Sequence, residues 1–152
     1  MGTKLRPIQG IPAGLFAGVG MLIVWMFGAA KWGDPQKMEG AWELLTSIGD
    51  VIPMVQSQTW LPIAGVVLHL LIATGLGLLF AASLDRLDSK DTLIVATFYG
   101  FTLWVVSVLL LGHWIQVEAV QMSRSWWGFF AFLTFGFLLG VYANLFGQSA
   151  SN

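Results

Sequence analysis

Four long apolar stretches that contain no charged residue constrain this chain more than any other feature. They cover residues 11–30, 60–84, 92–117 and 125–146. Each has at least the ~20 residues that a helix needs to cross the ~30 Å hydrocarbon core of a bilayer. The sequence therefore predicts an all-α, polytopic membrane protein: a four-transmembrane-helix bundle that forms a single integral membrane domain over residues 1–152.

The composition agrees with this class. Hydrophobic residues make up 57% of the chain and charged residues 10%, whereas soluble domains have roughly 25% charged residues. The net charge of −1 gives no reason to expect a nucleic-acid partner. The chain has no cysteine, which excludes disulfides and thiolate metal sites. Membrane lipids are the expected surroundings.

The distribution of cations predicts the orientation. Four spans place both termini and the turn after the second span on one face, and the other two connections on the opposite face. The first face carries Lys4, Arg6, Arg86 and Lys90, whereas the second carries Lys31, Lys37 and Arg124. Cytoplasmic loops are enriched in lysine and arginine. We therefore expect cytoplasmic termini and location in the bacterial cytoplasmic (inner) membrane.

Tryptophans gather at the opposite, outer interface. Each adjoins the outer end of one of the four spans; they are Trp32, Trp60, Trp114, Trp126 and Trp127. An amphipathic indole prefers the headgroup level, so these residues predict an aromatic interfacial belt. The alternative is a tryptophan-rich platform for the headgroup of a lipid, quinone or pigment.

The long connection between the first two spans has a helical pattern of its own. Apolar residues recur at steps of three or four; they are Met38, Trp42, Leu45, Ile48, Ile52 and Val55. Asp34 supplies an N-cap, and Pro35 suits the first helical position. This pattern predicts an amphipathic interfacial helix over residues 35–56. Because its polar side is mainly anionic, packing on the bundle or on a partner explains it better than attraction to acidic lipids.

Small residues indicate how the spans pack. Gly10, Gly14 and Gly18 form a stripe on the first helix, and Gly136 and Gly140 repeat the spacing on the fourth. Such stripes let helix backbones approach closely where no hydrophobic driving force exists. We expect internal packing from them, with contact to another subunit as the alternative.

Two histidines, His69 and His113, are the ionisable groups within the spans, and this makes them candidate functional residues. Their depths below the outer face are roughly 14 Å and 6 Å. That difference disfavours one haem bound by both. Neutral, hydrogen-bonded histidines are the plainer interpretation; an axial ligand to haem or chlorin, a quinone contact and a proton relay are the alternatives. Motifs for catalysis or phosphate binding are absent from the sequence.

One resemblance adds to this interpretation. Leu61-Pro62-Ile63-Ala64-Gly65-Val66-Val67-Leu68-His69 opens the second span, Gly100-x-x-x-Trp104 lies in the third, and Gly136-x-x-x-Gly140-x-Tyr142 in the fourth. In this order the chain resembles a group of small uncharacterised bacterial membrane proteins with four helices. The resemblance implies the fold and adds almost nothing on function.

Three functions remain open. The favoured one is a non-catalytic accessory or structural subunit that packs against a larger electron-transfer or photosynthetic membrane complex. The second is a redox or small-molecule binding protein that holds haem, chlorin or quinone through His69 and His113. The third is a transporter of a small neutral solute. The lack of catalytic groups makes an enzyme the less expected outcome.

Overall fold

The computed structural model describes residues 3–4, 6–32, 45–46, 48–49, 57, 59–84, 91–111 and 124–149. A two-residue strand β1 (Thr3–Lys4) and a 3₁₀ turn (Pro7–Gln9) precede the first helix. The long helices are α1 (Gly10–Trp32), α2 (Leu61–Leu84), α3 (Thr92–Val106, continued by a π-helical turn, Ser107–Leu111) and α4 (Trp126–Phe146), followed by a two-residue strand β2 (Gln148–Ser149).

The prediction of four helices is confirmed. All four are long and apolar enough to cross a membrane. The predicted third span, 92–117, is helical as far as Leu111, and its remainder lies outside the described residues. Of the predicted interfacial helix over 35–56, only residues 45–46 and 48–49 are described, and these four are helical.

The helices begin where local chemistry favours a start. Pro12 and Pro62 lie in the first turns of α1 and α2, where the missing N–H removes no intrahelical bond. Ser125 caps α4, because its side-chain oxygen accepts a hydrogen bond of 3.1 Å from the backbone N–H of Gly128. A serine in this position satisfies one of the donors that the first turn leaves without an intrahelical partner.

The helices pack in the order α2–α1–α4–α3. Extensive contacts join α1 to α2, α1 to α4 and α3 to α4, whereas α2 and α3 barely meet. The two central helices, α1 and α4, are therefore covered on both sides, and α2 and α3 form the edges. A short connection joins α2 to α3 in sequence, yet they are the least associated neighbours in the bundle.

Glycines bring α1 and α2 into backbone contact. A Cβ atom added to Gly77 would lie 2.6 Å from the Cα of Gly14, and one added to Gly10 would lie 2.7 Å from the Cα of Leu78. One added to Gly18 would lie 2.6 Å from the Cβ of Ala73. No side chain larger than hydrogen fits between backbones at this distance, so the whole glycine stripe of α1 is used inside the bundle.

The same device joins α3 to α4. A Cβ on Gly136 would lie 2.9 Å from the Cα of Gly100, and one on Gly140 would lie 2.9 Å from the Cα of Leu93. The second glycine stripe therefore also faces a helix of the same chain. Between the central helices, side chains fill the space, with the rings of Trp25 and Phe132 in an edge-to-face arrangement at 6.4 Å.

Both ends of the described chain meet at one end of the bundle. β1 and β2 pair antiparallel, with Thr3 opposite Ser149 and Lys4 opposite Gln148. The side chain of Gln9 donates a hydrogen bond of 3.2 Å to the carbonyl oxygen of Phe146. Four long helices that run in alternating directions bring the two ends of the described chain to the same end of the bundle, and these contacts place them side by side.

Candidate functional site

His69 lies in the interior of the bundle, against α1. Its side chain is 8% exposed, and Nε2 is 3.0 Å from the carbonyl oxygen of Gly18. A carbonyl oxygen only accepts hydrogen bonds, so Nε2 carries the proton and donates. In this tautomer only Nδ1 keeps a lone pair for a metal or a haem iron. The close approach at Gly18 brings the imidazole within reach of the carbonyl.

The second predicted histidine, His113, lies outside the described residues, as does Trp114. The position of His113 relative to His69 therefore lies outside what the structure describes. Within the described part of the chain, no group of three or more histidine, cysteine, aspartate or glutamate side chains is placed to hold a metal ion.

The tryptophans of the predicted belt differ in their surroundings. Trp60 and Trp126, at the starts of α2 and α4, are 60% and 77% exposed. Trp127 is half-buried, and its side chain lies against Gly28 of α1, where an added Cβ would be 2.5 Å from the ring. Trp32 is the last residue of α1, and its side chain lies outside what the structure describes.

Trp25 is a buried aromatic side chain with one polar atom, and the sequence analysis did not single it out. It is 7% exposed, and its Nε1 has no hydrogen-bond partner among the described residues. The sequence held a signal for it, because Trp25 lies well inside the first span rather than at its end. A tryptophan away from the interface belongs to the packed interior more readily than to the belt.

A second contact that the sequence analysis did not predict joins the edge helices. The hydroxyl of Tyr99 on α3 donates a hydrogen bond of 3.0 Å to the carbonyl oxygen of Leu76 on α2. The rings of Tyr99 and Phe80 are 5.4 Å apart. These three residues lie toward the α2–α3 connection, so the two edge helices are held together at that end of the bundle.

The described part of the long connection packs on the start of α2. Leu45 is 3% exposed, and its carbonyl oxygen lies against Gly65. Gly49 lies against the carbonyl oxygen of Leu61. Backbone contact of this kind at two successive turns places the described part of the segment on the bundle itself, which is one of the two alternatives that its mainly anionic polar side favoured.

Two cavities lie on the outer surface of α3 and α4. The larger, of about 580 Å³, is bounded by apolar side chains and one threonine; they are Leu93, Ile94, Thr97, Phe98, Phe101, Leu133 and Phe137. The smaller, of about 350 Å³, is bounded by aromatic, hydroxyl and cationic side chains; they are Trp104, Arg124, Ser125, Trp126 and Phe129. Neither cavity was predicted, since both depend on which faces of two helices meet.

Comparison with protein-family models, curated proteins and solved structures found no match to this chain. The fold alone therefore defines the class: an all-helical protein with four helices long and apolar enough to span a membrane.

Proposed function

We propose that this protein is a non-catalytic integral membrane protein that packs as an accessory subunit against a larger complex of the bacterial inner membrane, with its termini in the cytoplasm. An electron-transfer or photosynthetic assembly is the kind of partner that the proposal favours. The observation that carries it is the exposure of the two edge helices.

The edge helices bury far less of their length than the central ones. In the most apolar window of each span, 39% of the residues are buried in α1 and in α4, but only 22% in α2 and 11% in α3. Large side chains at every fourth residue of α2 are exposed, namely Ile63, Val67 and Leu71. A further helix can pack on such an edge without displacing any existing contact, and van der Waals packing of this kind drives helix association in lipid.

Since both glycine stripes face helices of the same chain, the proposed contact with a partner falls on these larger side chains. The alternative that a glycine stripe contacts another subunit is therefore not part of this proposal. The docking surface of this protein is then a ridge of aliphatic side chains, and the partner subunit would present small residues or grooves to it.

The other two functions receive less support. His69 is 8% exposed and packed against Gly18 of α1, so a cofactor could reach its free Nδ1 only by displacing the packing of α1 on α2. In the described part of the chain, the buried polar or charged side chains are His69 and Thr92, and the remaining core consists largely of alanine, phenylalanine and leucine. A core of this composition offers few groups to replace the hydration of a polar solute.

The proposal is tested by mild-detergent purification from native membranes, with co-eluting proteins identified by mass spectrometry. A photoactivatable amino acid at Leu71 or Leu109 probes the two edges, and one at Leu145 of α4 is the control; all three positions are exposed. We expect stoichiometric recovery of a larger complex and cross-links from an edge position but not from Leu145. A lone monomer with no cross-linked partner would contradict the proposal.

The orientation has its own test, because the chain contains no cysteine. Single cysteines at the exposed positions Arg6 and Ser57 lie on opposite faces of the proposed topology. A membrane-impermeant maleimide should label Ser57→Cys in intact spheroplasts and Arg6→Cys only after lysis. The reverse pattern would place the termini outside.

A further inference from the structure

We propose that the groove between α3 and α4 binds an anionic phospholipid, with one acyl chain along its apolar part and the phosphate at Arg124. This proposal does not rest on the accessory-subunit function, because it needs only the residues of the groove and no partner subunit.

The larger cavity supplies the apolar part of the groove. On α3, the side chains of Ile94, Phe98 and Phe101 are exposed, and they flank Thr97. The hydroxyl of Thr97 donates to the carbonyl oxygen of Leu93 one turn earlier, at 2.8 Å. Its polar group is thus satisfied within the helix, and its methyl group is left for the groove. This surface suits a hydrocarbon chain.

The two cavities adjoin each other along α3 and α4, and they form the two parts of the proposed groove. The ring of Phe101, which borders the larger cavity, is 6.1 Å from Trp104 and 6.5 Å from Phe129, and both of these border the smaller one. On α4, the bordering residues recur every three or four positions, at Trp126, Phe129, Leu133 and Phe137. This is the spacing of one helix face, so a single occupant can follow it.

The length of the groove fits one lipid chain. From Trp126 to Phe137 the helix rises by roughly 16 Å, at 1.5 Å per residue. One leaflet contributes about half of the ~30 Å hydrocarbon core. A groove of this length that begins at the interface reaches close to the middle of the bilayer, as an acyl chain does.

The charge of the groove is complementary to a phosphate at its interfacial end. Arg124 borders the smaller cavity and is exposed. It makes another interaction in the structure, but a guanidinium has five N–H donors and binds phosphate oxygens in pairs. Arg124 also directly precedes Ser125, the N-cap of α4, and the dipole of that helix adds partial positive charge there. The exposed indole of Trp126 lies beside it, as expected at the headgroup level.

The first test measures lipid binding to the full-length protein by native mass spectrometry. Phosphatidylglycerol is the anionic probe, and phosphatidylcholine, which carries no net charge, is the reference. We expect wild-type protein to bind phosphatidylglycerol more tightly. Arg124→Gln should weaken that binding about tenfold, because a charge-assisted hydrogen bond is lost. Arg6→Gln, which removes an exposed cation at the other end of the bundle, should leave it unchanged. Equal loss in both variants, or equal binding of the two lipids to wild type, would overturn the proposal.

A second test locates the chain without any substitution. Phosphatidylglycerol with a photoactivatable acyl chain is added to wild-type protein, and labelled peptides are sequenced. Label concentrated at Phe98, Phe101 and Leu133 is expected. Label spread equally over the exposed face of α2, at Ile63 and Leu71, would show an ordinary lipid annulus and overturn the proposal. Leu133→Trp should fill the groove and abolish the concentration of label there. Leu71→Trp, on the exposed face of α2, should leave the labelling of the groove unchanged.

Discussion

The close crossing of α1 and α2 gives a prediction for which the same chain offers a matched control substitution. In Gly77→Ala, the new methyl group would lie 2.6 Å from the Cα and 2.7 Å from the N of Gly14, both of them backbone atoms. These distances are about 0.8 Å short of ordinary van der Waals contact, which begins at 3.4 Å. Backbone atoms cannot turn away as a flexible side chain can, so the two helices must separate over several residues.

The cost follows from how overpacked interiors respond. Insertion of a methylene or methyl group into a packed core costs about 1–3 kcal/mol, while the change from glycine to alanine in a helix contributes about 1 kcal/mol in the opposite direction. Gly75→Ala is a matched control on the same helix, because among the described residues nothing lies within 4 Å of its added Cβ. This variant gains the higher helix propensity of alanine without a steric clash against α1.

The assay is reversible unfolding in mixed micelles, with the free energy of unfolding measured for wild type and both variants. We expect Gly75→Ala to equal or exceed wild type, and Gly77→Ala to fall about 1–3 kcal/mol below Gly75→Ala. If the two variants had the same stability, α1 and α2 would not be in backbone contact at Gly77, and the proposed crossing would be wrong.

Three further predictions concern polar groups of the interior. Tyr99→Phe removes the hydrogen bond to the Leu76 carbonyl. It should lower the free energy of unfolding by about 0.6 kcal/mol, which is the average for interhelical hydrogen bonds in membrane proteins. A loss above about 1.7 kcal/mol, the largest value for such bonds, would mean that Tyr99 does more than hold the edge helices together. His69→Leu should likewise destabilise by about 0.6–1.7 kcal/mol. The purified wild-type protein with added haem should show no Soret shift, because the imidazole is 8% exposed and packed against Gly18 of α1; a shift that disappears in His69→Leu would establish axial ligation instead. Trp25→Ala should lower the free energy of unfolding by about 3–5 kcal/mol, because it leaves a cavity. Trp25→Phe should lower it much less, since Nε1 has no partner within the described residues. Equal destabilisation of the two variants in thermal unfolding would indicate that the indole nitrogen itself is hydrogen-bonded.

The amino-acid sequence determines the number and approximate extent of the spans. Each span is recognisable on its own, because a segment in hydrocarbon must satisfy every backbone polar group internally and keep charges out over ~20 residues. The parity of the spans then determines that the termini share a face. The glycine stripes also predict close backbone contact, since only the smallest residue permits it.

Which surfaces meet is decided by the tertiary structure. Apolar residues occupy the exposed as well as the buried sides of these helices, so no hydrophobic stripe distinguishes an inward face as it does in a soluble helix. The order α2–α1–α4–α3, the pairing of Gly14 with Gly77 and of Gly136 with Gly100, and the bond from His69 to Gly18 all join residues far apart in the chain. The groove of α3 and α4 arises in the same way. In lipid the hydrophobic effect does not select a face, and the fit between two particular surfaces does.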